Sequence, residues 1–142
     1  MDGVTTSRSA RADGETCGLV TRLSHQLADH IRKRAATLDL TSPQAIALRE
    51  LTEPMPMRAL AVRMSCEPSN VTFVIDKLEQ QGYVERTPDP DDRRAKLLVL
   101  TPSGTKLRTK LVAVLTEESP LGTLSDNERT TLHKLLQRAL ES

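Results

Sequence analysis

The 142-residue sequence predicts a mainly α-helical fold with one small β-hairpin, and three observations carry that expectation. Apolar residues recur at helical spacing along most of the chain. Hydrophobic residues make up 37% of the sequence but aromatic ones only 1%, so the core has to be aliphatic; Leu, Val and Ala, abundant here, fill helices well. Only between Tyr83 and Thr101 do two short strand-like runs flank a polar, proline-containing turn.

Taken in order, residues 1–15 are rich in Ser, Thr, Gly and Arg without apolar periodicity, and read as a flexible tail outside a single domain over 16–142. From Leu19 the stripe Leu23, Leu27, Ile31, Ala35 and Leu38 predicts a long first helix over about 16–38. In "TSPQ", Thr41 and Gln44 form a capping box with Pro43 in the first turn, so a second helix starts there. It stops near Glu53, because Pro54 and Pro56 cannot donate backbone hydrogen bonds. "MRALAVRM" is a short third helix carrying Leu60, Ala61 and Met64 inward, and Pro68 suits the first turn of a fourth that ends at Gly82.

That fourth helix, "SNVTFVIDKLEQQG", places Val71, Val74, Ile75 and Leu78 on one face and the chain's single Phe, Phe73, on the other. Two helices joined by a tight turn, the second with a polar outer face, form a helix-turn-helix candidate. "YVERT" and "KLLVLT" then bracket "PDPDDRRA" as a hairpin, which is the wing of a winged helix over 54–101. Arg93 and Arg94 lie at its tip and Arg86 and Lys96 on its strands, basic groups able to enter a narrow minor groove. Asp89, Asp91 and Asp92 stand among them, and one carboxylate paired with an Arg would hold the tip in shape. Beyond the wing, Thr101 and Pro102 open a fifth helix, and Ser125 with Glu128 repeats the capping box before a sixth.

Composition excludes several classes of function. A net charge of +1 does not by itself send the chain to nucleic acid, although residues 54–110 hold ten basic against seven acidic side chains and 111–142 hold three against five. Two cysteines are too few for a disulfide framework, no apolar segment approaches a membrane span, and a reducing cytoplasm is the simplest home. No phosphate loop, nucleophile constellation or HExxH motif is present, so no enzyme, cofactor or metal site is expected. His25 and Asp29 share a helix face, but with His30 and His133 elsewhere they do not complete a coordination sphere. Met55, Met57 and Met64 read as core filling, or as the lining of an effector cleft.

The order of three helices, recognition helix, wing and two helices resembles the multiple antibiotic resistance regulator (MarR) family of bacterial transcription factors. "SNVTFVIDKLEQQGYVER" looks like that family's recognition helix and first wing strand, with Ser69, Thr72, Asp76, Leu78, Gly82 and Arg86 in the expected places. "DDRRAKLLVLTPSG" is similar to its wing signature, and the likeness runs from about Cys17 to Leu140. The resemblance implies a homodimer built by helices over 16–38 and 102–141, binding a pseudo-palindromic operator in double-stranded DNA. It also implies a repressor released by a small phenolic or aromatic effector. The excess of Leu on the first, fifth and sixth helices agrees with a second subunit.

On this reading Ser69, Asn70 and Thr72 donate to base edges or phosphates and Lys77 neutralises a phosphate, with Arg86, Arg93, Arg94 and Lys96 adding basic contacts. The family commonly has Arg or another polar residue where Phe73 stands. Two readings of Phe73 are open: it packs on a thymine methyl, or it packs against the wing or a neighbouring helix. Two further alternatives stand beside DNA binding. One is a winged helix used for protein contact; the other is a thiol sensor using Cys17, placed at the start of the first helix where a thiolate is favoured. Cys66, in the turn before the recognition helix, reads as a buried turn residue.

Overall fold

A computed structural model describes residues Asp2–Glu141, with side chains from Arg8 onward. Six helices and one hairpin follow in the order α1 (Asp2–Ala36), α2 (Ser42–Glu50), α3 (Met57–Met64), α4 (Pro68–Gln80), β1 (Val84–Asp89), β2 (Asp92–Leu100), α5 (Pro102–Thr116) and α6 (Asp126–Leu140). The chain divides into two compact units, Ile31–Thr116 and the pair Met1–His30 with Glu117–Ser142.

The larger unit contains the winged helix and a core without a buried aromatic ring. Leu48, Leu60, Val71, Ile75, Leu78, Val84, Leu98 and Leu111 are its largest fully buried side chains, so α2, α3, α4, α5 and the hairpin each contribute. Ile31 and Ala35 complete it from the end of α1. Met55 is buried and Met57 and Met64 pack partly against the same core, which is the gap-filling role their soft side chains allow.

Local signals explain most element boundaries. Thr41 accepts from the Gln44 amide at 3.3 Å while Gln44 Oε1 accepts from the Thr41 amide at 3.0 Å, the reciprocal capping box that starts α2. Helix α2 ends at Glu50, before the prolines, at a Leu51 cap that donates to the Ala47 carbonyl. The segment after it pairs with the wing: Met55 and Leu98 exchange both backbone hydrogen bonds, at 3.3 and 2.8 Å, adding a one-residue third lane to the two-stranded antiparallel sheet.

Helix α5 falls with the winged helix in the larger unit. Its amino end presses on the α4–β1 connection, with Gly104 so close that a Cβ there would sit 2.0 Å from the Tyr83 carbonyl oxygen. The Arg108 side chain hydrogen-bonds the Leu48 carbonyl at 3.0 Å and the Arg49 carbonyl at 3.0 Å, holding α5 on the open end of α2.

In the smaller unit, α1 reaches back to Asp2, so residues 2–15, read from sequence as a tail, are described as helix, and residue 1 lies outside the described residues. All described side chains from Arg8 to Arg22 are exposed, so this stretch is held by its backbone ladder and not by packing. Ala10, Arg11, Ala12 and Glu15 are good helix formers and no proline intervenes, so the helix propagates outward from the apolar stripe that begins at Leu19. Helix α6 starts at the Ser125–Glu128 capping box and buries none of its residues. Leu135, Leu136 and Leu140 all lie exposed along it.

Candidate nucleic-acid interface

Helix α4 is presented by a turn with defined geometry. Ser65 closes α3 in the left-handed conformation, φ 54°, and the Cys66 amide donates to the Ala61 carbonyl at 3.0 Å. Cys66 itself is exposed, contrary to the buried turn residue expected, because the turn packs through backbone and points its short side chain outward. Glu67 then takes the extended cap position and Pro68 the first turn of α4. At the other end Gly82, φ 82°, reverses the chain, and the Tyr83 amide returns to the Leu78 carbonyl at 2.9 Å.

With Val71, Ile75 and Leu78 buried beneath it, α4 turns Ser69, Asn70, Thr72, Phe73 and Lys77 to the exterior, and all five are exposed. The Thr72 hydroxyl donates to the Pro68 carbonyl one turn back at 3.0 Å. Thr72 therefore offers its methyl and oxygen lone pairs outward, where the sequence reading made it a donor.

Arg86 points inward along the surface to two carboxylates. Its guanidinium pairs with Asp76 and lies 3.7 Å from Glu79, both on α4. These contacts fasten β1 to the recognition helix and neutralise Asp76 on the face where an unpaired carboxylate would repel a phosphate. A role in positioning thus accounts for Arg86 more directly than a free basic contact.

The wing places the other basic residues. The register runs Val84↔Leu100 to Pro88↔Lys96 and then jumps to Asp89↔Asp92, so Arg93, Arg94 and Ala95 have no counterpart on β1. Pro88 cannot donate to the ladder, which is a physical reason for the irregularity at this point. Arg93, Arg94 and Lys96 are exposed along this bulged end, a step past the Pro90–Asp91 turn and not at its tip. The acidic neighbours hold backbone and not arginine: Asp89 accepts from the Asp91 amide at 2.9 Å and Asp92 from the Arg94 amide at 3.0 Å.

Comparison with known proteins matches this architecture. The MarR family profile matches residues 40–96. The helix-turn-helix-type transcriptional regulator YkoM of Bacillus subtilis is 32% identical over 103 residues, covering 69% of this chain and 67% of that protein. The chain belongs to the MarR family. The MarR-family relatives are transcriptional regulators and not enzymes. Across 100% of this chain and 97% of the other, it is 26% identical to the transcriptional repressor NicR of Pseudomonas putida. Among solved structures, CouR from Rhodococcus jostii bound to p-coumaroyl-CoA shares 26% identity with TM-score 0.71, over 84% of this chain and 87% of that one. A cysteine-to-serine mutant of MarR from Escherichia coli complexed with operator DNA shares the fold at 24% identity and TM-score 0.67, over 86% and 91% of the two chains.

Two residues that hold this MarR-family lobe together, Arg63 and Arg108, escaped sequence reasoning, and the packing role of Gly104, the last residue of the wing signature, was not visible in it. Arg63 donates to the Glu50 carbonyl at 3.1 Å and to Thr52 at 2.8 Å, so Arg63 and Arg108 converge on the carboxyl end of α2. Two cations there satisfy carbonyls that have no intrahelical partner and oppose the negative end of the helix dipole. Near Gly104, Thr101 donates to the Gly82 carbonyl at 2.6 Å and caps the Gly104 amide at 3.0 Å. The position of Cys17 also changes: it lies fifteen residues inside α1, away from the helix start where the sequence placed it, and its thiol lies 3.8 Å from Asp13 Oδ2. Among the described residues no helix is long and apolar enough to cross a membrane.

Proposed function

We propose that this MarR-family regulator binds a pseudo-palindromic operator as a homodimer, represses the genes beside it, and is released by a small aromatic effector. The observation that carries the reading is the outward face of α4. It is seated on a buried underside, relieved of its carboxylate charge by Arg86, and flanked by exposed Arg93, Arg94 and Lys96 on the wing. Ser69 and Asn70 supply polar contacts to bases or sugar-phosphate, and Lys77 sits on the same face to meet a phosphate. The wing arginines suit a minor groove alongside.

The dimer reading draws support from α6. Its Leu132 and Leu135 line, with Leu124 and Thr131, an open apolar hollow of about 430 Å³. A second copy laid on that face would remove it from water. Two lobes would then meet half-sites roughly 34 to 36 Å apart, one helical turn of DNA. Repression and an aromatic effector are supported by the named relatives, a repressor and a protein holding an aromatic thioester. A regulator of this kind acts in the cytoplasm. An effector achieves release only by binding the DNA-free arrangement more tightly than the DNA-bound one.

Gel-shift titration of the full chain against duplex DNA, repeated from low to moderate salt, tests the reading. Affinity should fall linearly on a log–log plot, with a slope of about −0.9 per phosphate contacted. Arg94→Ala should lower that slope by about one unit while weakening all sequences alike. Absence of any duplex binding in dilute buffer would overturn the proposal.

A further inference from the structure

The chain's single Phe is the most conspicuous feature of the α4 face that the reading above leaves unused. Phe73 is 70% exposed, so most of its ring faces outward and is not buried against the wing or a neighbouring helix. Its ring forms one wall of an apolar hollow of about 250 Å³, with Pro43 and Gln44 at the start of α2 and Val74 and Lys77 on α4. Lys77 lines it directly, and Ser69 and Asn70 are exposed one turn back on the same helix.

The donors around it are few. The Thr72 hydroxyl is engaged with the Pro68 carbonyl and Arg86 is held by Asp76 and Glu79, so no arginine on this face is available for the two-point contact that selects guanine. An exposed aromatic ring on a groove-facing helix gains nothing from a base edge that offers only hydrogen-bonding groups. The 5-methyl of thymine is the one apolar group the major groove displays. We propose that Phe73, backed by Pro43 and Val74, reads a thymine in each half-site through its 5-methyl group. The proposal rests on the DNA-binding reading above and adds which base that helix selects.

Deoxyuridine provides the test, because it keeps every hydrogen-bonding group of thymine and removes only the methyl. The probe is a duplex recovered from a random-sequence pool by the full chain, with each thymine replaced in turn. Wild-type protein should lose about fourfold in affinity at one position per half-site, the equivalent of about 0.8 kcal/mol for one buried methyl-sized group. Phe73→Ala should bind thymine and deoxyuridine duplexes equally at that position, and Phe73→Leu should keep part of the preference. Because Phe73 is exposed, both variants should melt at the wild-type temperature. A flat response of the wild type to every deoxyuridine, or an undiminished preference in Phe73→Ala, would overturn the assignment while leaving DNA binding intact. Failure to recover any duplex would instead remove the reading on which it stands.

Discussion

Arg86 lies between Asp76 and Glu79 with its charge satisfied inside the lobe, whereas Arg94 extends from the wing bulge with only its backbone amide engaged. The two arginines should therefore behave differently on substitution. Arg86→Ala should cost at most about 1 kcal/mol of stability, as a half-exposed ion pair does. It should weaken DNA binding chiefly by releasing the Asp76 carboxylate, so adding Asp76→Asn should restore much of the affinity. A double-mutant cycle by gel shift checks this, and a failure of Asp76→Asn to recover binding would make Arg86 a direct contact. Gly104 offers a second test. An alanine Cβ would lie 2.0 Å from the Tyr83 carbonyl oxygen, a backbone atom that Thr101 also fixes through its amide at 3.1 Å. Gly104→Ala should lower stability by about 1–3 kcal/mol, read from the denaturant midpoint, since neither segment can give way cheaply.

Helix starts were legible because their signals are local. Thr41 with Gln44 and Ser125 with Glu128 each complete a box across three residues, and Pro68 and Gly82 mark their positions by backbone chemistry alone. The Ser125 backbone and side chain both hydrogen-bond Glu128, holding its carboxyl below the ordinary value of 4.5. The ionised form is thus favoured in the folded helix. Its contribution is present above that ordinary value and is lost as pH falls through the lowered folded value. Glu128→Gln should flatten this part of the acid limb of an α6 helicity titration followed by circular dichroism, and an unchanged limb would assign it to other groups. What stayed illegible depends on distant partners. Arg108 meets Leu48 across sixty residues, and Met55 finds Leu98 across more than forty, with no periodicity to announce either. The helix over 2–15 was missed for another reason: it has no apolar stripe, and pattern reading detects packed faces rather than solvated backbone ladders. The face of α4 was readable as polar, but the engagement of Thr72 and Arg86 was not, because rotamers and cross-element pairs leave no mark on residue spacing.

For the whole molecule, the described elements separate a compact reading lobe over Ile31–Thr116 from a unit whose α6 buries nothing of its own. A helix with Leu135, Leu136 and Leu140 in water gains most of its stability from whatever covers it. Thermal stability of the full chain should accordingly rise with protein concentration, and Leu135→Lys should abolish that dependence. Two lobes binding one duplex together is the arrangement on which operator recognition depends. Sedimentation of the full chain with a duplex it has selected, at low salt, tests it most directly. The expected result is a complex of two chains per duplex that dissociates as salt is raised; a single chain per duplex, or free DNA beside free protein, would rule that arrangement out.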